Sequence, residues 1–458
     1  MNYDKLLDPQ KPHAKTLLDS LYLNGYAFDA SPTGTGKTYA AAGVARNLSL
    51  PIVVVCPRSS KTVWRTTLKE FGVNPRLIIN YELLTRGNTS YLKYNKTEYA
   101  NGDHWWESKG IKVLFPKNCL VIVDECHKCR GQKSKNGEML VALKNHGYKI
   151  LLLSATAAAS VTDMKSFGYV TQLHNGANFR DFAKEHGAQS NPHGDLVWKQ
   201  DNDNAKKGMV DIHNHLFNIT KCASKMNIED FGDIFPENQI IAESFDLGDE
   251  NSSKLKAVYD TMKEELARLD ERSKDYSQHH FAIMMKARRL SELLKTQTTV
   301  EWIKDRYDEG IKPVVFFNFT DSLKAVEDRL GATFSKMLSK IVGGQTDKQR
   351  DHEISEFQAN KRNGALVNIC AGNASINMHD LHGDAPRESL ICPHWSPVMT
   401  LQAIGRIYRA HGKTRCVQKF LFASEIEERQ RQRVAAKVRN ISQLNEGDLS
   451  LSDTIPLY

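Results

Sequence analysis

The sequence predicts an α/β protein made of two doubly wound, parallel-sheet domains in tandem. Three observations point there. Short unbroken apolar runs, such as Ile52-Val53-Val54-Val55-Cys56 and Leu120-Val121-Ile122-Val123, alternate with stretches of helical periodicity. That is the pattern of strands covered on both faces by crossover helices. Polar residues gather just after these runs, at the strand ends where open α/β sheets place their ligands. The alternation fades near residue 171 and resumes near residue 314, so one sheet does not account for the chain.

With 458 residues the chain has room for two or three domains with proper cores. The expected division is a first domain over 1–170 with an insertion at about 88–118, a connecting segment over 171–238, and a second domain over 239–458 that ends in a charged helix. Residues 6–24 carry Leu17, Leu18 and Leu21 at helical spacing. Tyr26-Ala27-Phe28 reads as a strand and residues 39–48, rich in alanine, as a helix. After the run at 52–56 come a helix over 61–71 and a strand at Leu77-Ile78-Ile79. Residues 88–117, rich in Tyr, Lys and Asn and holding His104-Trp105-Trp106, interrupt the rhythm and are expected to loop out of the sheet.

Leu120-Val121-Ile122-Val123 and Ile150-Leu151-Leu152-Leu153 are the next buried strands. Residues 171–236 turn polar and show no period. A strand is expected over 239–247, then a long helical stretch over 252–307 that breaks near 273–277. The second sheet draws on Val314-Val315-Phe316-Phe317, residues 366–369, Leu390-Ile391-Cys392 and residues 417–422, with helices over 322–330 and 348–358.

Composition narrows the class. Lys and Arg outnumber Asp and Glu by 62 to 54, a formal charge of +8, which is compatible with a polyanionic partner without requiring one. Eight scattered cysteines form no small-domain disulfide framework and favour a reducing compartment. The first residues do not form a signal peptide, and no apolar run nears the ~20 residues of a membrane span. A soluble intracellular protein, without a membrane partner, is expected.

The stretch that carries chemistry is Ser31-Pro32-Thr33-Gly34-Thr35-Gly36-Lys37-Thr38, set between a strand and a helix. Glycines let backbone N–H groups turn toward a polyphosphate, and the helix N-terminus adds its positive end. Lys37 reaches the β- and γ-phosphates, and Thr38 offers a hydroxyl to Mg²⁺. Ser31 stands where the general pattern has Gly. Asp124-Glu125 ends a buried strand downstream: one carboxylate can hold Mg²⁺ while its neighbour orients and activates water for attack on the γ-phosphate.

In order, Gly34-Thr35-Gly36-Lys37-Thr38, Asp124-Glu125-Cys126-His127 and Ser154-Ala155-Thr156 resemble motifs I, II and III of superfamily 2 helicases and translocases. Gln402-Ala403-Ile404-Gly405-Arg406-Ile407-Tyr408-Arg409 resembles motif VI. Asn80-Tyr81-Glu82, Gly343-Gly344-Gln345-Thr346 with Arg350, and Trp395-Ser396-Pro397 are similar to the Swi/Snf-like branch, in a compact bacterial or phage type. The resemblance spans roughly residues 5–425. It departs at Ser375, where the family usually has Gly, and at Ala157-Ala158-Ala159-Ser160 after Thr156.

The resemblance implies two RecA-like domains with an ATP cleft between them, and ATP and Mg²⁺ as cofactors. Gln10, Thr33, Gly34, Thr35, Gly36, Lys37 and Thr38 would bind ATP, with Thr38 and Asp124 on the metal. Glu125, Gln402, Arg406 and Arg409 would be catalytic, the arginines as fingers. His127, Ser154 and Thr156 would couple the ATP and nucleic-acid sites, and Arg58, Lys61, Asn80, Tyr81, Asn377 and Trp395 would touch nucleic acid. Implied too is a monomeric translocase or remodeller of duplex or branched DNA, acting in replication, recombination or repair in the cytoplasm of a bacterial cell or a phage-infected host.

Other readings stay open: a strand-separating helicase on DNA or RNA, a binding protein with a vestigial ATPase switch, and a metabolic P-loop kinase. A kinase would not need a second α/β domain with an arginine motif. Trp105-Trp106 can stack on bases or pack under a loop. Cys119, Cys126, Cys129 and His127 invite zinc, although His127 already has a role in motif II. His193, His213 and His215 read as solvated, and Lys286, Arg288 and Arg289 as a solvated basic face.

Overall fold

The structure, a computed structural model, describes residues 3–94, 102–108, 110–130, 134–155, 158, 160–191, 195–198, 203–270, 273, 275–371, 376–394, 396–423 and 427. Two compact units emerge, one built from residues up to Asp233 and one from Ile234 on.

The first unit is organised by a six-stranded sheet, every pair parallel. Its order is Ala223–Ser224, Tyr26–Asp29, Lys149–Leu153, Leu120–Asp124, Ile52–Cys56, Leu77–Asn80. Strand side chains alternate between two covered faces. Phe28, Val53, Val55, Val121, Val123 and Leu152 enter one core. Ala27, Val54, Ile122, Leu151 and Leu153 enter the other, against helices Gln10–Leu23, Lys37–Leu48 and Lys61–Glu70. Burial on both sides is why these runs carry no polar alternation.

The insertion stays out of the six-stranded sheet: Leu92–Tyr94 and Ile111–Val113 form a separate antiparallel hairpin, while Leu92, Ile111, Val113 and Phe115 lie in the core. Its Trp105 packs edge-on against Tyr169 and Phe179, so packing, not an open stacking platform, is what this ring does. Trp106 sits so close to Gly176 that a Cβ there would come within 2.3 Å of the Trp106 Cβ. The connecting segment is no connector over most of its length. Helices Phe179–Glu185 and Asp203–Asn214 and the strand Ala223–Ser224 belong to the first unit, because Phe179, Phe182, Met209, Ile212 and Leu216 complete its core.

The second unit has its own all-parallel sheet: Asn238–Phe245, Cys416–Ala423, Arg387–Ile391, Lys312–Phe317, Gly364–Asn368, Leu338–Ile341. Both domains expected from the sequence are thus present. The long helical stretch resolves into Gly248–Ala267, Tyr276–Leu294 and Thr296–Asp308. Val300, Ile303, Leu323 and Val326 from the covering helices meet Val315, Phe317, Leu366 and Leu390 of the strands. Edge strand Leu338–Ile341 has no counterpart among the expected elements. Helix Asp347–Gln358 starts from a reciprocal cap between Thr346 and Gln349. Apart from Glu427, the expected terminal helix lies outside the described residues. Among the described residues, no helix is long and apolar enough to cross a membrane.

Candidate ATP site

Strand Tyr26–Asp29 is wholly buried and hands the chain to a turn that ends at helix Lys37–Leu48. Gly34 and Gly36 adopt φ of +90° and +86°, which side chains with a Cβ rarely take. Gly36 has a second constraint: a Cβ there would lie 2.4 Å from Gln10 Nε2. Gln10 Nε2 donates to Thr35 O at 2.9 Å and its Oε1 accepts from Leu7 N at 3.0 Å, so its amide orientation is fixed. Lys37 Nζ donates to Ser31 O (2.8 Å) and Pro32 O (2.9 Å), folding back over the loop. Thr35 Oγ1 donates to Pro32 O at 2.9 Å. Thr33 on the loop and Thr38 in the first turn of the helix are half-buried.

Asp124 closes the strand Leu120–Asp124, and its Oδ2 accepts from Trp64 Nε1 at 2.8 Å. Burial, then the charge of Glu125, pushes the Asp124 carboxyl up to about 7, while Trp64 and Lys37 pull the other way. Thr38 and Asp124 carry oxygen atoms of the kind that Mg²⁺ takes. The glycine turn at the N-terminus of helix Lys37–Leu48 suits a polyphosphate.

Glu125 itself has φ +53°, a left-handed conformation that is costly for a residue with a long side chain. The turn aims its carboxylate at His127, with Oε2 3.2 Å from Nδ1. The same His127 Nδ1 lies 3.2 Å from Ser154 Oγ. Glu125, His127 and Ser154 are therefore brought together; Thr156 lies outside the described residues. Cys126 and Cys129 are buried and free, and burial pushes the Cys129 thiol up to about 12.

In the second unit, Arg406 Nη1 and Arg409 Nη2 both donate to Ile376 O, each at 3.4 Å. They stand in the turns after helix Pro397–Ile404, whose Gln402 is buried. Arg406 is buried too, whereas Arg409 is half-buried. A residue without any sequence signal backs this region. Arg387 is buried and donates to Met378 O (2.6 Å), His379 O (2.5 Å), Gln358 Oε1 (3.0 Å) and Asn360 Oδ1 (3.0 Å), over the ring of Phe357.

Among the nucleic-acid candidates, Arg58 and Asn377 are exposed and Lys61 is half-buried. Asn80 and Tyr81 are not on a surface. Asn80 is buried with its amide on Glu82 (2.7 Å), and the buried Tyr81 donates its hydroxyl to Asp124 O (2.6 Å). Tyr81 thus supports the tip of strand Leu120–Asp124 instead. Trp395 and the stretch 372–375 lie outside the described residues. Also missed were Trp64, on an ordinary amphipathic helix, and Asp29, whose place just before the glycine loop was a usable signal.

Two family models match: Type III restriction enzyme, res subunit, over residues 5–159, and Helicase conserved C-terminal domain over residues 286–411. A protein of Acanthamoeba polyphaga mimivirus, provisionally named an ATP-dependent RNA helicase, is 30% identical over 463 residues, covering 97% of this chain and 84% of the relative. The chain is a superfamily 2 helicase. DNA repair protein RAD5B of Arabidopsis thaliana is 32% identical over 159 residues, 34% of the helicase and 12% of that relative. The helicase is an ATP hydrolase dependent on nucleic acid, and its two sheets are the two RecA-like domains of this family.

Proposed function

We propose that the helicase is an ATP-driven translocase or remodeller of duplex or branched DNA, of the Swi/Snf-like branch, acting in DNA repair, recombination or replication. The observation that carries the motor reading is the division of chemistry. The phosphate loop, Asp124 and Glu125 belong to one unit, and Arg406 and Arg409 to the other. Hydrolysis in this reading draws on groups from both units, so the ATPase cycle is available to drive movement along a strand.

Within that reading, Lys37 leaves Ser31 O and Pro32 O to meet the β- and γ-phosphates. Thr38 and Asp124 would hold Mg²⁺, which would neutralise phosphate charge. Glu125 orients and deprotonates the attacking water, while His127 fixes the Glu125 carboxylate and passes its position to Ser154. Arg409, with Arg406 behind it, presents guanidinium donors to the transition-state oxygens. Arg58, Lys61 and Asn377 offer donors to a nucleic-acid backbone.

The Gly343-to-Arg350 signature and the partial likeness to a DNA repair protein support DNA. The provisional name of the mimivirus relative supports a second reading, an RNA helicase. ATPase rates with duplex, forked and single-stranded DNA and with RNA, measured side by side, decide between them. Duplex or forked DNA should stimulate most, and the stimulation should fall with salt. A clear preference for RNA would overturn the DNA reading.

A further inference from the structure

The edge strand Ala223–Ser224 pairs with the strand leading into the phosphate loop, Phe28 opposite Ala223 and Asp29 opposite Ser224. The pairing then runs on into the loop. Ala30 N donates to Ser224 O at 2.9 Å, and Met226 N donates to the side-chain Oγ of Ser31 at 3.0 Å. On the other flank, Ser31 N donates to Asp29 Oδ1 at 2.9 Å. Asp29 Oδ2 is 3.0 Å from His13 Nε2, and His13 Nδ1 is 2.8 Å from Ser224 Oγ. Asp29, Ser31, the 224–226 backbone and His13 thus form a closed ring of contacts, in which His13, Asp29, Ser31 and Met226 are buried and Ser224 is half-buried. Burial pushes the Asp29 carboxyl upward, but His13, Lys37 and Ser31 together hold it below the usual carboxylate range.

Ser31 is the position where the general phosphate-loop pattern has Gly, and a glycine has no oxygen for Met226 N. The carbonyl of the same residue receives the Lys37 ammonium. A loop held at Ser31 therefore also holds Lys37. We propose that Ser31 is a positioning residue for nucleotide binding: its hydroxyl clamps the phosphate loop to the edge strand, with the His13–Asp29–Ser224 contacts closing the clamp from behind. The proposal rests on the reading of this loop as the ATP site.

The consequence is a split between binding and turnover. Without the hydroxyl, a buried N–H is left unpaired and the free loop spends part of its time away from the binding geometry. Apparent affinity falls by the fraction of loops still competent. Bound nucleotide restores the geometry, so the saturated rate is spared.

The test uses the full chain, with ATP KM and kcat and the Kd of a fluorescent ATP analogue measured for Ser31→Ala, Ser31→Gly, Ser224→Ala and Lys37→Ala. Ser31→Ala should raise KM and Kd by about 5- to 30-fold, the range of one to two kilocalories, with kcat within twofold. Ser31→Gly should be worse because it also frees the backbone. Ser224→Ala should move KM the same way by less. A Ser31→Ala variant with parental KM and Kd, or with lowered kcat at parental KM, would overturn the proposal. A parent-like Ser224→Ala would overturn the His13 arm of the clamp. If Lys37→Ala still hydrolyses ATP at the parental rate, the ATP-site reading itself fails.

Discussion

The indole of Trp64 donates to the carboxylate of Asp124, Nε1 to Oδ2 at 2.8 Å, and both side chains are buried. The bond fixes one oxygen of the strand-tip acid. Trp64→Phe keeps the ring and removes the donor. Outer partners of metal-binding carboxylates typically matter by about 10- to 100-fold in metal affinity or activity. The Mg²⁺ concentration giving half-maximal ATPase should therefore rise on that scale. An unchanged Mg²⁺ dependence would separate Trp64 from the site.

The two arginines differ in burial and should differ in phenotype. Arg409→Ala should cut ATP hydrolysis by about 10³ or more, the scale of a lost arginine finger, with ATP affinity and melting temperature close to the parent. Lys at this position should rescue little, since an ammonium cannot reproduce the guanidinium fork. Arg406→Ala should lose hydrolysis and also melt earlier, because Arg406 is buried against Ile376 O. Equal melting for both variants would contradict this division.

His174 sits among Trp105, Tyr169, Phe179 and Phe182. Burial holds its imidazole down at about 4, below the ordinary 6.5. In the window between those values the unfolded chain binds a proton that the native state does not. Stability therefore falls as pH drops from 6.5 toward 4. His174→Gln should lose less stability between pH 7 and pH 5 than the parent does, measured as the shift in urea midpoint. The same shift in both proteins would show that His174 does not report on the packing of the insertion.

Glu427 is buried and accepts from Tyr259 (2.8 Å), Ser291 (2.6 Å), Ala423 N (2.8 Å) and the buried Lys295 ammonium. It ties the end of strand Cys416–Ala423 to the helices Gly248–Ala267 and Tyr276–Leu294. Glu427→Gln strands the Lys295 charge and should destabilise the second unit by about 3–5 kcal/mol. Combining Glu427→Leu with Lys295→Met should recover most of that loss, because no charge is then left buried alone. Chemical denaturation of the parent, the single variant and the double variant decides it; a double variant as weak as the single would deny the charge argument.

The sequence by itself determined the two parallel sheets, because strands such as 52–56, 120–124 and 314–317 are buried on both faces and must read as unbroken apolar runs. It also determined the phosphate loop and the acidic strand tip, since local chemistry forces glycine at 34 and 36 and places Asp124-Glu125 where a sheet opens. Only the tertiary structure decided the rest. The insertion and residues 179–216 join the core through single apolar residues spaced too irregularly to show a period. Tyr81 and Asn80 read as contact residues until the fold buries both, Tyr81 with its hydroxyl on the Asp124 carbonyl. Trp64, Asp29, His13, Ser224 and Arg387 act through partners from 16 to 211 positions away in sequence or through several carbonyls at once. Hydrogen bonds of that reach leave no local pattern in a chain, so only its folding brings them to view.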